Sequence, residues 1–236
     1  MKNKTLKFLY KFHFNDGRKR LFEINIDPKT LLLTKPVRQD PPEWAKMSYF
    51  RCENCPLPTS KYKYCPLANH LSEVIEFFTD VPSFEKAIIF VENNLRGSYK
   101  YTSVQVGVSS LMGIIMASSG CPIIGKLKPL VRFHLPFASL EETEIRVLSM
   151  YILAQFFRMW EGKKTDFKLT KLRKLYEDIQ KVNRNIVSKL AEIEIKDTNR
   201  NAVIALSNYA DFISLSLSDE EIQNLKEFLG DFLEIE

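Results

Sequence analysis

The residues with the clearest chemistry in this chain are its four cysteines. Cys52 and Cys55 form a C-x-x-C-P unit with Pro56, Cys65 is followed by Pro66, and Cys121 stands between Gly120 and Pro122. Two cysteines separated by two residues can present both sulfurs of one tight turn to the same ion. Cys65 comes ten positions after Cys55, close enough for a short loop to return it to that turn. Cys121 can join only through the fold. The thiolate is the ligand form, and a bound metal offsets the cost of burying its charge. The pattern predicts one metal site made of Cys52, Cys55, Cys65 and Cys121, joining the front of the chain to its middle.

Plainer readings compete with this one. A free cysteine is among the most buried residue types, so Cys121 taken alone reads as core. A lone C-x-x-C is also a redox pair, but such a pair opens a helix, and Pro56 and Pro58 interrupt any helix here. Disulfides are disfavoured because Met1–Lys7 shows no apolar run or cleavage site, which predicts a reducing, cytoplasmic setting. The choice of metal stays open between an iron–sulfur cluster, [4Fe–4S] in the leading reading, and zinc. A proline after the cysteine favours the cluster, whereas zinc knuckles more often pair two C-x-x-C turns. His70 or His134 could replace one cysteine in a zinc site, though each reads more simply as an ordinary surface or core histidine.

Two groups of elements must position these thiols. The chain has 236 residues, 45% hydrophobic and 27% charged, with a formal charge of +5. That suits a globular fold with a substantial core, and the mild positive charge allows an acidic partner without requiring one. No apolar run reaches membrane-spanning length. We expect an α+β fold: a small antiparallel sheet with a cysteine-stapled loop in residues 1–136, then an all-helical region in 137–236 packed against it.

Within the first part, Phe8, Tyr10, Phe12 and Phe14 alternate with Lys7, Leu9, Lys11 and His13, the period of a half-buried strand. Asn15-Asp16-Gly17 supplies a turn, and Phe22, Ile24 and Ile26 continue the apolar face, giving a hairpin over residues 5–27. The adjoining run Arg18-Lys19-Arg20 reads as a solvated tip before it reads as a phosphate contact. Pro28, Pro36, Pro41, Pro42, Pro56 and Pro58 make residues 27–66 an irregular connection that something must hold. Trp44, Tyr49, Phe50, Tyr62 and Tyr64 are expected to pack around the metal there. Pro66 suits the first position of a helix carrying Leu67, Leu71, Val74, Ile75 and Phe78, with Cys65 at its N-terminus. Residues 87–91 and 99–106 read as two more strands, and 108–119 as a buried helix ended by Gly120 and Pro122.

After Pro136 only Gly162 and Gly230 interrupt the pattern. Ser139–Glu142 reads as a capping box for a helix whose Ile145, Leu148, Tyr151, Ile152, Phe156 and Met159 point inward. Glu141, Glu142 and Glu144 then answer the helix dipole rather than act as acid or base near His134. Leu172 through Leu190 and Val203 through Ile213 mark two further helices. Ser218–Glu221 is a second capping box for a last helix with Ile222, Leu225, Phe228, Leu229 and Phe232. These stripes are core or a dimer surface.

The segments Ser109–Gly113, Ser119–Pro122, Arg132–Pro136 and Glu141–Thr143 resemble an uncharacterised bacterial family. Its members also carry the Cys52-x-x-Cys55-Pro56 and Cys65-Pro66-Leu67 pieces, and the resemblance covers most of the chain. It implies a bacterial origin and the unity of the four cysteines, and no activity.

No P-loop, dinucleotide fingerprint, H-E-x-x-H or G-x-S-x-G motif is present. Three functional readings remain. The first is a cytoplasmic protein whose cysteine-ligated cluster or zinc serves structure, sensing or docking of an unknown protein partner. The second is an iron–sulfur enzyme with redox or Lewis-acid chemistry near His134, Arg132 or Glu142. The third is a nucleic-acid binder using Arg18–Arg20 and the aromatics at Lys61–Tyr64; it ranks well below the others.

Overall fold

Alternation in the first residues does produce a hairpin. The computed structural model describes residues 5–193 and 197–235. Strand β1, Leu6–Phe14, buries Phe8, Tyr10, Phe12 and Phe14 on one face. It pairs antiparallel with β2, Lys19–Ile26, so that Leu6 lies opposite Ile26 and Phe12 opposite Arg20. Gly17 takes φ +88° in the turn, where a side chain would be strained. Strands β3, Lys86–Asn93, and β4, Gly97–Ser103, complete an antiparallel sheet in the order β2-β1-β3-β4.

Strand β4 is shorter than its sequence suggests. Residues Val104–Val106 open helix α3, Val104–Ser118, instead of extending the strand. The physical reason lies in the neighbouring chain: Val104 N–H donates to Glu85 O at 2.8 Å and Gln105 N–H to Ser83 O at 3.2 Å. Those carbonyls satisfy two helix donors that lack intrahelical partners. Gly120, at φ +90°, then ends the turn after α3 and sets up Cys121.

Between β2 and β3 the chain runs through a mostly irregular connection. A 3-10 turn at Glu43–Ala45 and the single turn α1, Met47–Phe50, precede α2, Pro66–Phe78. Helices α2 and α3 cover the buried face of the sheet. Phe78 of α2 meets Phe12 edge-on at 4.9 Å between ring centroids. Helix α3 comes closest at Gly107, where an added Cβ would lie 2.5 Å from Ile89 Cδ1 and 2.8 Å from Phe12 Cε1. Gly107→Ala should therefore destabilise the protein by about 1–2 kcal/mol, because overpacking outweighs the gain of about 1 kcal/mol in helix propensity. Urea denaturation of the variant checks this, and a neutral or stabilising result would show that Ile89 and Phe12 yield freely.

The second part is helical: α4, Lys128–Arg132; α5, Leu140–Trp160; α6, Thr170–Glu192; α7, Asp197–Ser216; and α8, Asp219–Leu229. Among the described residues no strand follows Ser103. Both arms of the Ser139–Glu142 capping box form, with Glu142 N–H donating to Ser139 Oγ at 3.1 Å and Ser139 N–H to Glu142 Oε2 at 2.7 Å. In α6 the stripe Leu172, Ile179, Val182, Ile186 and Leu190 is buried within the chain, and α7 packs against both α3 and α6. Helix α8 does start at Asp219, but the second capping box, Ser218–Glu221, turns on the Glu221 side chain, which lies outside what the structure describes.

Helix α5 departs from expectation. Ile152, Phe156 and Met159 are exposed rather than inward, as are Leu153, Phe157 and Trp160. This half of the helix is apolar nearly all round, so its period selects no face. The packed side is chosen by the returning chain: Tyr151 donates to Asp166 Oδ2 at 2.7 Å, and buried Gln155 accepts from Asp166 N–H at 3.0 Å. Helix α8 is similarly peripheral, with Leu229 exposed, and Phe232 falls in the 3-10 turn Gly230–Glu234 after it, also exposed. One hydrophobic cluster nevertheless draws residues from both 1–136 and 137–236. Among the described residues, no helix is long and apolar enough to cross a membrane.

Candidate metal centre and a second cavity

The C-x-x-C segment is held by pairing at its base. Met47 N–H donates to Lys63 O and Cys65 N–H to Ala45 O, each at 2.9 Å, which closes the loop carrying Cys52 and Cys55 and returns Cys65 beside it. Cys65 is the N-cap of α2, with Pro66 in its first turn. The turn after α3 delivers Cys121 from the other side. All four cysteines, free of disulfides, line one cavity with Met47, Phe50, Leu57, Leu67, Ile123 and Val182. Three chain segments thus converge on a single space.

Helix α6 completes the enclosure, and sequence reasoning did not see it. Asn185 Nδ2 donates to Phe50 O at 2.9 Å and to Cys52 Sγ at 3.4 Å. Asn54 Nδ2 reaches Asp178 O at 3.0 Å, and Lys181 pairs with Glu53 at 3.0 Å. No motif marks these partners, because isolated polar residues on a long helix look like its solvent face. The expected aromatic shield is also only partial. Phe50 lines the cavity and Trp44 packs on Phe50 at 5.8 Å, but Tyr49 and Tyr62 face solvent. Aliphatic side chains form most of the wall.

Electrostatics in the cavity oppose bare thiolates. Burial pushes the Cys52 thiol up to about 12 and the Cys65 thiol up to about 11, and the neighbouring cysteines add to both shifts. Cys121 is raised by burial too. Backbone N–H groups pull the other way: those of Leu67 and Ala68 toward Cys65, and those of Ile123, Ile124 and Gly125 toward Cys121. They favour the thiolate by proximity, without a sulfur hydrogen bond of normal geometry. The one donor that reaches a sulfur with hydrogen-bond geometry is Asn185 on Cys52, among the described residues.

The donor set and its size can be tested against the candidate metals. The space enclosed is about 20 Å³, on the order of one water molecule. A tetrahedral zinc draws four sulfurs to about 2.3 Å from one point and leaves no such space. Among the described residues, no group of three or more His, Cys, Asp or Glu is arranged to hold a single metal ion. The four thiols share a cavity but do not close on one point. That space is also smaller than an iron–sulfur cluster, so a cluster would require the cavity to widen, as zinc would require the sulfurs to move inward. Neither His70 nor His134 lines it.

His134 belongs to a second, larger cavity of about 660 Å³ between α3, α4, α5, α6 and α7. Its Nε2 lies 2.9 Å from the Tyr10 hydroxyl and 3.3 Å from that of Ser110, and those hydroxyls are 3.0 Å apart. Burial holds the imidazole far below its usual range, at about 3, so it is neutral. Glu142 lines the same cavity, within its capping box. Arg132 does not; it donates to Pro28 O at the surface. The charged residue deepest in this wall is Arg146, which sequence reasoning passed over. Arg18 and Arg20, from the basic run, are paired with Asp16, Glu85 and Asp80.

The architecture is an α+β protein with four free thiols around a small cavity beside a larger apolar one. The chain belongs to the family described as a domain of unknown function (DUF6901), which matches residues 8–229. No curated protein matches this chain, and no solved structure does.

Proposed function

We propose that Cys52, Cys55, Cys65 and Cys121 are the complete ligand set of one metal centre, an iron–sulfur cluster, whose role is to hold the 27–66 connection and α6 to the sheet-and-helix body. The observation that supports it is the convergence of all four thiols, from three segments, in one cavity free of carboxylate and imidazole. Complete thiolate ligation leaves no open coordination position, which favours a structural, sensory or docking role over Lewis-acid chemistry. Zinc is the second reading; it requires the sulfurs to move inward, as the cluster requires the cavity to widen.

Metal and sulfide analysis of anaerobically purified protein separates these outcomes. The expected result is brown protein with iron and acid-labile sulfide in equal amounts. Colourless protein with one zinc per chain would shift the reading to zinc. Protein free of both metals would overturn it.

A further inference from the structure

The larger cavity is independent of the metal reading. Its volume of about 660 Å³ lies within the range of small-molecule sites, and Ile114, Leu127, Val131, Leu206 and Ile213 give it a mainly apolar wall. Polar groups in that wall are few and incompletely satisfied. Asn183 is buried, and its Oδ1 has no hydrogen-bond partner, an expensive state for an acceptor. Tyr176 is buried in the same wall, and burial keeps its hydroxyl protonated and able to donate.

Arg146 supplies the charge. Its Nη2 donates to Leu130 O and Phe133 O, both at 3.0 Å, which fixes the guanidinium at the cavity wall. Among the described residues no carboxylate lies within ion-pair distance of Arg146, although Glu142 of the same wall attracts it electrostatically, and both of its hydrogen bonds use Nη2. It lies close enough to Tyr176 for the two to interact electrostatically. Lys100 adds a second positive charge to the lining, while the one carboxylate there, Glu142, is engaged by Ser139 N–H. A guanidinium fork beside a phenolic donor matches a carboxylate, and the apolar wall beyond matches a hydrocarbon body.

We propose that this cavity binds an amphipathic monocarboxylate, an alkyl chain with one carboxylate, whose head is held by Arg146 and Tyr176. The body fills the space between α3 and α7, and Asn183 Oδ1 takes a donor from ligand or ordered water.

Titration calorimetry of the full chain with decanoate, and with 1-decanol as its uncharged counterpart, tests this. Decanoate should bind one to one and at least tenfold more tightly than decanol. Arg146→Met should abolish that preference while leaving decanol binding in place. Because Arg146 also braces α4, Tyr176→Phe serves as the milder variant; it should weaken decanoate several-fold and leave decanol unchanged. Arg132→Met, outside the cavity, should bind decanoate as the wild type does. Equal affinity for decanoate and decanol, no binding of either, or unchanged decanoate affinity in Tyr176→Phe and in folded Arg146→Met would each overturn the proposal. Metal content does not enter these readouts, so the cavity and the cysteine centre can fail separately.

Discussion

Cys121→Ser is expected to remove the metal and lower the melting temperature by about 10 °C or more, the shift that a loss of several kcal/mol causes in a chain of this size. Binding energy at a site that unites separate segments is also folding energy. Without its fourth ligand the centre would no longer tie the turn after α3 to the loop at Cys52 and Cys55. Destabilisation alone does not distinguish this from a simple core defect, since a buried hydroxyl without a partner costs about 1–3 kcal/mol by itself. Two further readouts do. Cys55→Ser should give the same metal loss although Cys55 sits on another segment. The double variant should be little worse than either single one, because residues serving one centre are not additive. A Cys121→Ser protein that retains full metal and stability would return this residue to the status of an ordinary core thiol.

His134 should make the protein acid-sensitive. Its folded-state value, about 3, lies below that of an exposed histidine, so the folded state excludes a proton that the unfolded chain binds. The stabilising contribution is therefore present above about pH 6.5 and is lost as the pH falls toward 3, at up to about 1.4 kcal/mol per pH unit. His134 is half-buried and opens in part onto the larger cavity, which trims the total to a few kcal/mol. Protonation would also place an N–H on both ring nitrogens, so that Nε2 could only donate to the Tyr10 and Ser110 hydroxyls. Carboxylates titrate over part of the same window, so the measurement is a difference: urea stability at pH 7 and pH 4 for wild type and His134→Gln. The wild type should lose more, by a few kcal/mol, and equal losses would show that the imidazole charges freely in the fold.

Legibility followed the range of the interaction. The β1–β2 hairpin was readable because alternation, turn and return strand lie within about twenty residues of one another. The α6 stripe was readable because one side is apolar and the other charged. The end of β4 was not: Val104 and Val106 carry strand propensity, but Glu85 and Ser83 carbonyls satisfy the donors of a helix there. Nor was the orientation of α5. Ile152, Leu153, Phe156, Phe157, Met159 and Trp160 surround the axis, and only Asp166 on the returning chain decides which side is covered.

The cysteine site divides along the same line. Spacing and the following prolines alone placed Cys52 and Cys55 in one turn and Cys65 at a helix N-terminus, since those are properties of a dozen consecutive residues. Tertiary structure decided that Cys121 reaches them, that Asn185 of α6 donates to Cys52, and that the four thiols share one cavity without closing on a single point. It also decided the larger cavity, where Arg146, Tyr176 and Asn183 meet although 37 residues separate the first from the last. Periodicity reports which residues share a face of one helix. The space left between five helices depends on how they pack, and no local pattern carries that.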